Sequence, residues 1–259
     1  MKEKNENIEL VQNEEKKDLE CNAVEKMNKK KIVIFIVAIF IVVIIIAFGI
    51  LLGKILCEEY LGIDLCEGDD KVEITMLEKP VIYIYPETEM NVNIKLGKSE
   101  LLTCTYPKYS ESTGWEVTAN PDGTLRDETN REYYSLYWEG KNAVKIEMDE
   151  GFVVKGEDTI EFLEEKLELL GLTEKEAQEF IIYWLPQMEN NKYNLIRFET
   201  MEEIEENMPL EINPKPDTLI RIMMDWKSLD EYIEVSEQSL TSVRRSGYTV
   251  VEWGGSEIK

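Results

Sequence analysis

Residues 131–140 read REYYSLYWEG and place four aromatic side chains in ten positions. Apolar residues that alternate with others at a period of two indicate a β-strand with one buried face. Tyr134, Leu136 and Trp138 fall on one face, and because Leu136 is aliphatic, we expect that face to be the core. Tyr133 and Tyr137 fall on the opposite face, where they either pack beneath a covering element or form an aromatic platform for a ligand.

The segments around this strand repeat short apolar runs that end at turn residues. In GWEVTANPDGTLRD (114–127), alternating apolar residues lead into a Pro-Asp-Gly sequence, which predicts a tight turn and therefore a hairpin. Calcium binding is an alternative role for Asn120, Asp122 and Asp127, but the Asp spacing does not match the calcium loop motif. Further strands are predicted at 81–86, 91–97, 101–107, 144–148, 152–154, 193–199, 218–226 and 248–253.

Two segments with helical periodicity interrupt the strands, at 158–171 and 173–186. Each begins with a capping pair and ends at a residue that stops a helix. These residues are Asp158 with Glu161, Gly171, Thr173 with Glu176, and Pro186. Because the connection between the segments is short, we predict an antiparallel helical hairpin.

Residues 32–52, IVIFIVAIFIVVIIIAFGILL, carry no charge and are long enough for a helix to cross a hydrocarbon core of roughly 30 Å. A cleaved signal peptide is the alternative, but its apolar region would be shorter. Four lysines within 26–31 precede the run, whereas Lys54 alone follows it before acidic residues. The positive-inside rule therefore places the N-terminus in the cytoplasm. Gly49 and Gly53 have the spacing of a helix-dimer contact, although glycine is also simply tolerated in membrane helices.

These features predict an α+β protein with a single N-terminal transmembrane helix, followed by one β-rich extracytoplasmic domain with an inserted helical hairpin. Its parts are a cytoplasmic disordered tail at 1–31, the transmembrane helix at 32–52, a juxtamembrane linker at 53–78 and the α+β domain at 79–259. In the linker, Cys57 and Cys66 lie nine positions apart and either form a disulfide or remain free thiols.

The charge of the chain excludes one class of partner. The formal net charge is -24, whereas a nucleic-acid-binding protein needs a basic surface, so we expect no nucleic-acid partner. Residues 1–31 contain eight Lys and eight Asp or Glu, which places the whole negative excess after residue 31. The predicted extracytoplasmic domain is therefore the acidic part of the chain.

The absence of histidine excludes several mechanisms. The chain has 0 His, and Ser-His-Asp triads, Cys-His nucleophiles and His-bearing zinc or iron sites all require an imidazole. We expect no metal site and no cofactor. An enzyme built from this chain would depend on carboxylate acid/base chemistry, a Lys-assisted serine or an oxygen-liganded cation.

Several sequence blocks occur in one order and resemble a family of uncharacterised bacterial proteins. The blocks are KPVIYIYP (79–86), LTCTYP (102–107), GWEVTANPDGTL (114–125), YYSLYWEG (133–140), YWLPQMENNKYN (183–194) and GYTVVEWGG (247–255). The resemblance covers about residues 79–255 and implies no reaction, substrate or catalytic residue.

Two functions follow from these observations as hypotheses. The first, which we prefer, is a membrane-anchored, non-enzymatic binding module at the cell surface that contacts a cell-wall component, a small ligand or another membrane protein. The second is a carboxylate-dependent hydrolase of cell-wall glycan. The candidate contact residues are Trp115, Tyr133, Tyr137, Glu139, Asp122 and Asp127, the last three of which are also the hydrolase candidates. Homodimerisation through Gly49 and Gly53 is a further expectation.

Overall fold

A computed structural model describes residues 75–142 and 145–259, which form a sheet-rich α+β structure. The strands are β1 (Met76–Tyr85), β2 (Met90–Leu96), β3 (Leu102–Tyr106), β4 (Trp115–Ala119), β5 (Leu125–Arg126), β6 (Glu132–Tyr133), β7 (Leu136–Lys141), β8 (Glu150–Lys155), β9 (Tyr193–Phe198), β10 (Leu210–Asn213), β11 (Thr218–Leu229), β12 (Ser236–Glu237) and β13 (Thr249–Glu257). The helices are α1 (Thr159–Leu169), α2 (Glu174–Met188) and α3 (Met201–Asn207).

The strands form two sheets. The large sheet has eight strands in the order β12-β8-β9-β11-β13-β1-β7-β3, and the small sheet has five in the order β10-β2-β4-β5-β6. In the large sheet, β11 pairs with β13 and β12 with β8 in parallel, and the other pairs are antiparallel. The central strands β11 and β13 are buried along most of their length, as expected for strands covered on both faces.

The large sheet is the middle layer of the structure. One of its faces packs Ile222 and Trp253 against Leu163 of α1 and Phe180 of α2 in a single apolar cluster. Its other face packs Ile82 and the rest of a second cluster against the small sheet. Because successive side chains of a strand point to opposite faces of the sheet, the same strands contribute residues to both clusters.

The predicted helical hairpin is confirmed, with differences at its ends. Thr173 caps α2 as a capping box with Glu176, as the spacing predicts. The side chain of Asp158 makes no capping hydrogen bond at α1, which starts from a short 3₁₀ turn instead. The prediction that Pro186 ends α2 is wrong, because the helix continues to Met188.

The predicted hairpin in residues 114–127 is also confirmed. The backbone N–H of Asn120 donates to Thr124 O at 2.9 Å, and the N–H of Gly123 donates to Asn120 O at 2.9 Å. Gly123 has a φ of 86°, the left-handed conformation that the Pro-Asp-Gly sequence anticipates. The closed turn connects β4 to β5, and the following β6 completes the edge of the small sheet.

The prediction of one continuous strand in residues 131–140 is wrong. The chain leaves the small sheet after Tyr133 and enters the large sheet at Leu136, so the alternation is interrupted between them. Leu136 and Trp138 are buried as predicted, but Tyr134 lies in the crossing segment and is 58% exposed. Tyr133 and Tyr137 are half-buried.

Other differences concern boundaries. The first strand begins at Met76, three residues before the predicted start of the domain at 79. Residues 145–148 of the predicted strand 144–148 form no regular structure. Helix α3 was not predicted, although Thr200 and Glu203 form a capping box at its start.

The predicted transmembrane span at 32–52, with Gly49 and Gly53, lies outside the described residues, as do Cys57 and Cys66. Within 75–142 and 145–259, no helix has the length and apolar character needed to cross a membrane.

Candidate ligand-binding site

A row of side chains runs across the large sheet from its covered centre to an open edge. Val81 of β1 pairs with Trp253 of β13 on one side and with Tyr137 of β7 on the other, and Tyr137 pairs with Tyr106 of β3. Trp253 is fully buried, Tyr137 is half-buried and Tyr106 is 52% exposed. Solvent exposure increases along the row because the helices cover the centre of this face and the row extends beyond them. The aromatic rings at the edge are therefore accessible.

A β-bulge in β1 brings a lysine to this edge. The register of β1 shifts between Glu78 and Val81 against β13 and between Leu77 and Val81 against β7, and Lys79 in the bulge has a φ of 61°. This conformation is unfavourable for a residue with a Cβ and marks local strain. The Lys79 ammonium lies 5.4 Å from the ring centroid of Tyr137 and 5.9 Å from that of Tyr183 on α2. Two cation–π contacts thus hold its charge beside the aromatic row.

The bulge requires a close approach between two distant blocks of sequence. Pro80 lies against Gly254 of β13, where a Cβ would come within 2.9 Å of the proline backbone. A glycine at this position therefore makes room for the bulge. The sequence blocks KPVIYIYP (79–86) and GYTVVEWGG (247–255) meet here in space.

A cleft of about 460 Å³ opens at this edge of the large sheet, where β6 and the segment that follows it also line it. We call it the tyrosine cleft. Its lining residues are Lys79, Val81, Tyr106, Glu132, Tyr133, Tyr134, Ser135 and Tyr137. The volume falls within the range of roughly 300–1,000 Å³ that small-molecule sites occupy. Its lining combines aromatic faces with one cation and one carboxylate.

Hydrogen bonds fix the orientation of two cleft tyrosines, Tyr106 and Tyr133. The Tyr133 hydroxyl donates to Asp127 Oδ2 at 2.9 Å, and Arg131 Nη2 donates to the Tyr106 hydroxyl at 3.1 Å. The rings of Tyr106 and Tyr133 meet edge to face with centroids 5.6 Å apart. Because these contacts set the rings before any ligand arrives, binding would require little ordering of side chains.

Two phenols of the cleft, those of Tyr133 and Tyr137, stay protonated. Burial raises the pKa of Tyr137, and the neighbouring Glu139 raises it further. Burial and the hydrogen bond to Asp127 raise the pKa of Tyr133. Hydrogen bonds from the Thr129 side chain and from backbone N–H groups lower the pKa of Asp127 to about 2. The cleft therefore presents neutral hydroxyl groups, which are donors as well as acceptors.

The structure places some of the predicted contact residues at the cleft and others away from it. Tyr133 and Tyr137 line the cleft, and Asp127 and Glu139 are next to them. Asp122 lies away from the cleft in the β4–β5 turn, where its Oδ1 accepts from Thr124 N at 2.9 Å. The expectation for Trp115 is wrong, because the residue is 3% exposed and its indole N–H donates to Pro107 O at 2.8 Å.

Sequence reasoning missed six residues of the cleft, among them Lys79, Tyr106 and Tyr134. Lys79 precedes a proline, a position that disfavours helix but does not signal a bulge. Tyr106 was included in a predicted strand without a role. The alternation predicts a core position for Tyr134, but it is interrupted at the point where the chain changes sheets.

The most perturbed carboxyl groups lie elsewhere in the large sheet, at Asp225 of β11 and at Glu199 directly after β9. Asp225 is fully buried; Arg197 Nη1 lies 3.6 Å from its Oδ2, and within the described part of the chain neither of its oxygens has a hydrogen-bond partner. Burial and the nearby Glu199 raise the pKa of Asp225. Burial and Glu203 raise the pKa of Glu199 to about 7. The adjacent cavity is only about 20 Å³, which is room for one water molecule but not for a substrate.

A second ionic cluster joins several elements of the fold. Arg221 Nε donates to Glu252 Oε2 at 2.6 Å, and the Trp138 indole N–H donates to Glu252 Oε1 at 2.8 Å. Arg221 also pairs with Glu205 of α3 at 2.6 Å and donates to Met208 O. These contacts satisfy the buried charges, so we assign this cluster to stability.

Over residues 75–142 and 145–259, no cluster of three or more acidic or cysteine side chains is arranged to hold a metal ion.

The chain is similar to one curated protein, called "Uncharacterized protein in bglA 3'region", from Butyrivibrio fibrisolvens. The two are 34% identical over 80 residues, which is 30% of this chain and 82% of that relative. No family model matches the chain. No solved structure matches it significantly.

Proposed function

We propose a binding function for this chain, which belongs to the same family as the uncharacterized protein in the bglA 3′ region of Butyrivibrio fibrisolvens. In this proposal the protein is anchored in the cell membrane through residues 32–52, and its acidic domain lies outside the cell. The tyrosine cleft then binds a neutral glycan of the cell surface. The observation that carries the proposal is the open row of oriented tyrosine rings beside Lys79.

The chemistry of the cleft favours a polyhydroxylated, uncharged ligand. Exposed faces of Tyr106 and Tyr134 offer apolar surface for the C–H face of a sugar ring. Phenol hydroxyls and the Lys79 ammonium offer hydrogen bonds to sugar hydroxyl groups. Lys79 and Glu132 bring one charge of each sign, so the lining gives no net attraction to an ionic ligand.

Charge at the scale of the chain supports the same choice. The net charge of -24 repels anionic wall polymers unless a cation bridges them. A neutral saccharide experiences no such repulsion.

The carboxylate-hydrolase alternative receives less support. A glycosidase needs one carboxylic acid that stays protonated until it donates to the leaving group. Hydrogen bonds lower the pKa of Asp127 to about 2, and the bond from Thr124 N lowers the pKa of Asp122. Two of the three candidate acids would therefore be ionised near neutral pH, and both are engaged in holding turns.

The test is binding of the full chain, in detergent micelles, to a panel of neutral oligosaccharides and to the polyanion teichoic acid. We expect binding to one or more neutral members and none to teichoic acid without calcium. Tyr134→Ala should weaken the binding about three- to tenfold, since aromatic contacts contribute roughly 0.5–1.5 kcal/mol.

The matched control is Tyr232→Ala, because Tyr232 is similarly exposed at 61% but lies outside the cleft. Equal losses in the two variants would contradict a role for the cleft. Tight calcium-free binding to teichoic acid would contradict the choice of a neutral ligand. Cleavage of any bound oligosaccharide would favour the hydrolase.

A further inference from the structure

The outer surface of the helical hairpin carries a groove that the proposed function does not use. It lies between α1 and α2 and has a volume of about 650 Å³. Leu172, Ala177 and Ile181 form an apolar floor, and Ile182 at its edge is 66% exposed. We call this feature the hairpin groove.

The rim of the hairpin groove is acidic. Glu164 and Glu168 project from α1 and Glu174 from the first turn of α2, and all three are exposed. Glu164 and Glu168 lie four positions apart and therefore on one side of α1. Carboxylates thus flank the apolar floor from both helices.

The lysines of the hairpin do not neutralise this rim. Residues 157–189 contain ten Asp or Glu and two Lys. Of these lysines, Lys166 pairs with Glu165 at 2.9 Å and lies over the rings of Phe152 and Phe162, towards the sheet. Lys175 does not line the groove. The surface around the apolar floor therefore keeps a negative potential.

We infer that the hairpin groove is the docking surface for a lysine- or arginine-rich amphipathic helix of a partner protein. An apolar stripe on such a helix would cover the floor, and its flanking cations would face the three glutamates. This is the packing of a third helix onto a pair of helices, with charge complementarity at the rim. The inference is independent of the glycan proposal, since the two sites share no residue.

Other occupants fit less well. A second copy of this chain would bring an identical acidic rim, and like charges would repel. An anionic lipid surface or a nucleic acid would be repelled for the same reason. A bare metal ion would leave the apolar floor exposed to water, which an amphipathic helix would cover.

The test uses the full chain in zwitterionic detergent micelles and a fluorescent helical peptide of lysine and leucine, about 18 residues long or five turns. A peptide with glutamate in place of lysine is the matched probe, and protein-free micelles are the blank. Fluorescence anisotropy measures both affinities. We expect the lysine peptide to bind, the glutamate peptide not to bind, and the affinity to fall as salt is raised.

Two sets of variants locate the binding. The triple variant Glu164→Gln, Glu168→Gln, Glu174→Gln should weaken it about tenfold. The control triple Glu87→Gln, Glu111→Gln, Glu211→Gln removes the same charge from exposed positions elsewhere and should weaken it less than about twofold. Ile182→Ser should weaken it about threefold, because it removes apolar area without disturbing the core.

Circular dichroism and melting of each variant check the fold. If the two triple variants lost peptide affinity equally, the binding would depend only on the overall negative charge of the protein. That result would overturn the inference. Unchanged binding by Ile182→Ser, or by the groove triple, would also overturn it, and so would absence of binding by the wild-type chain.

Discussion

Trp138 and Tyr134 are four positions apart in one aromatic stretch, yet they occupy opposite environments. Trp138 is fully buried and donates to Glu252, whereas Tyr134 is 58% exposed. We expect Trp138→Ala to lower the free energy of unfolding by about 3–5 kcal/mol, since it leaves a cavity and a buried carboxylate with one donor fewer. Tyr134→Ala should change it by no more than about 0.5 kcal/mol. Denaturant unfolding of the two variants measures the contrast, and similar losses in both would show that the environments are assigned wrongly.

Glu199 makes stability depend on pH. Burial and the Glu203 charge raise its pKa to about 7, against the weaker opposing effect of Arg197 and Arg221. The folded chain therefore binds more protons than the unfolded chain between the ordinary pKa of a glutamate, about 4.3, and about 7. Stability is highest on the acidic side of this window and falls as pH rises through it, by about 3–4 kcal/mol. The raised pKa of the Asp225 carboxyl acts in the same direction.

Melting temperatures between pH 5 and pH 8 check this prediction, in the wild type, in Glu199→Gln and in the exposed control Glu87→Gln. We expect the Glu199 substitution to remove most of the decline and the control to keep it. A decline of the same size in all three would refute the role given to Glu199. The lowered pKa of Asp127 does not interfere, since that group titrates near pH 2.

At the residue scale, burial at Leu136 and Trp138 could be predicted from their spacing and type. The exposure of Tyr134 could not, because it depends on the chain changing sheets between Tyr133 and Leu136. Trp115 shows the same limit, since an aromatic residue on a strand has the same pattern whether it faces a ligand or the core.

At the scale of elements, the features that depend on neighbouring residues could be predicted from the sequence. The Thr173–Glu176 capping box and the Pro-Asp-Gly turn both depend on residues within a few positions, and both are confirmed. The order of the eight strands could not be read from the sequence, because it is set by contacts between distant segments. The parallel pairing of β11 with β13 is one such contact.

The bulge in β1 gives an element-scale prediction. A Cβ at Gly254 would come within 2.9 Å of the Pro80 backbone, so Gly254→Ala should displace the bulge that carries Lys79. We expect a loss of about 1–3 kcal/mol in stability, together with weaker binding of any cleft ligand. The control is Ser256→Ala, which lies two positions along β13 and adds no volume. An unchanged melting temperature and unchanged binding in Gly254→Ala would contradict the link between the bulge and the cleft.

For the whole molecule, orientation in the membrane is a prediction from the flanking lysines and from the apolar run at 32–52. Protease added to intact, wall-stripped cells should remove the acidic domain and leave the N-terminal tail protected. Detergent-permeabilised cells are the control, in which both ends become accessible. A protected domain with a clipped tail would show the opposite orientation.

The central claim, that the tyrosine cleft is the ligand site, is tested most directly by ¹⁹F NMR of the full chain labelled with 3-fluorotyrosine. Signals are assigned with single Tyr→Phe variants, and the chain is titrated with a neutral oligosaccharide that binds. We predict shifts of the Tyr106, Tyr133, Tyr134 and Tyr137 signals and none for Tyr232, which is exposed outside the cleft, or for the buried Tyr248. Shifts confined to tyrosines outside the cleft, with the four cleft signals unmoved at saturation, would contradict the claim.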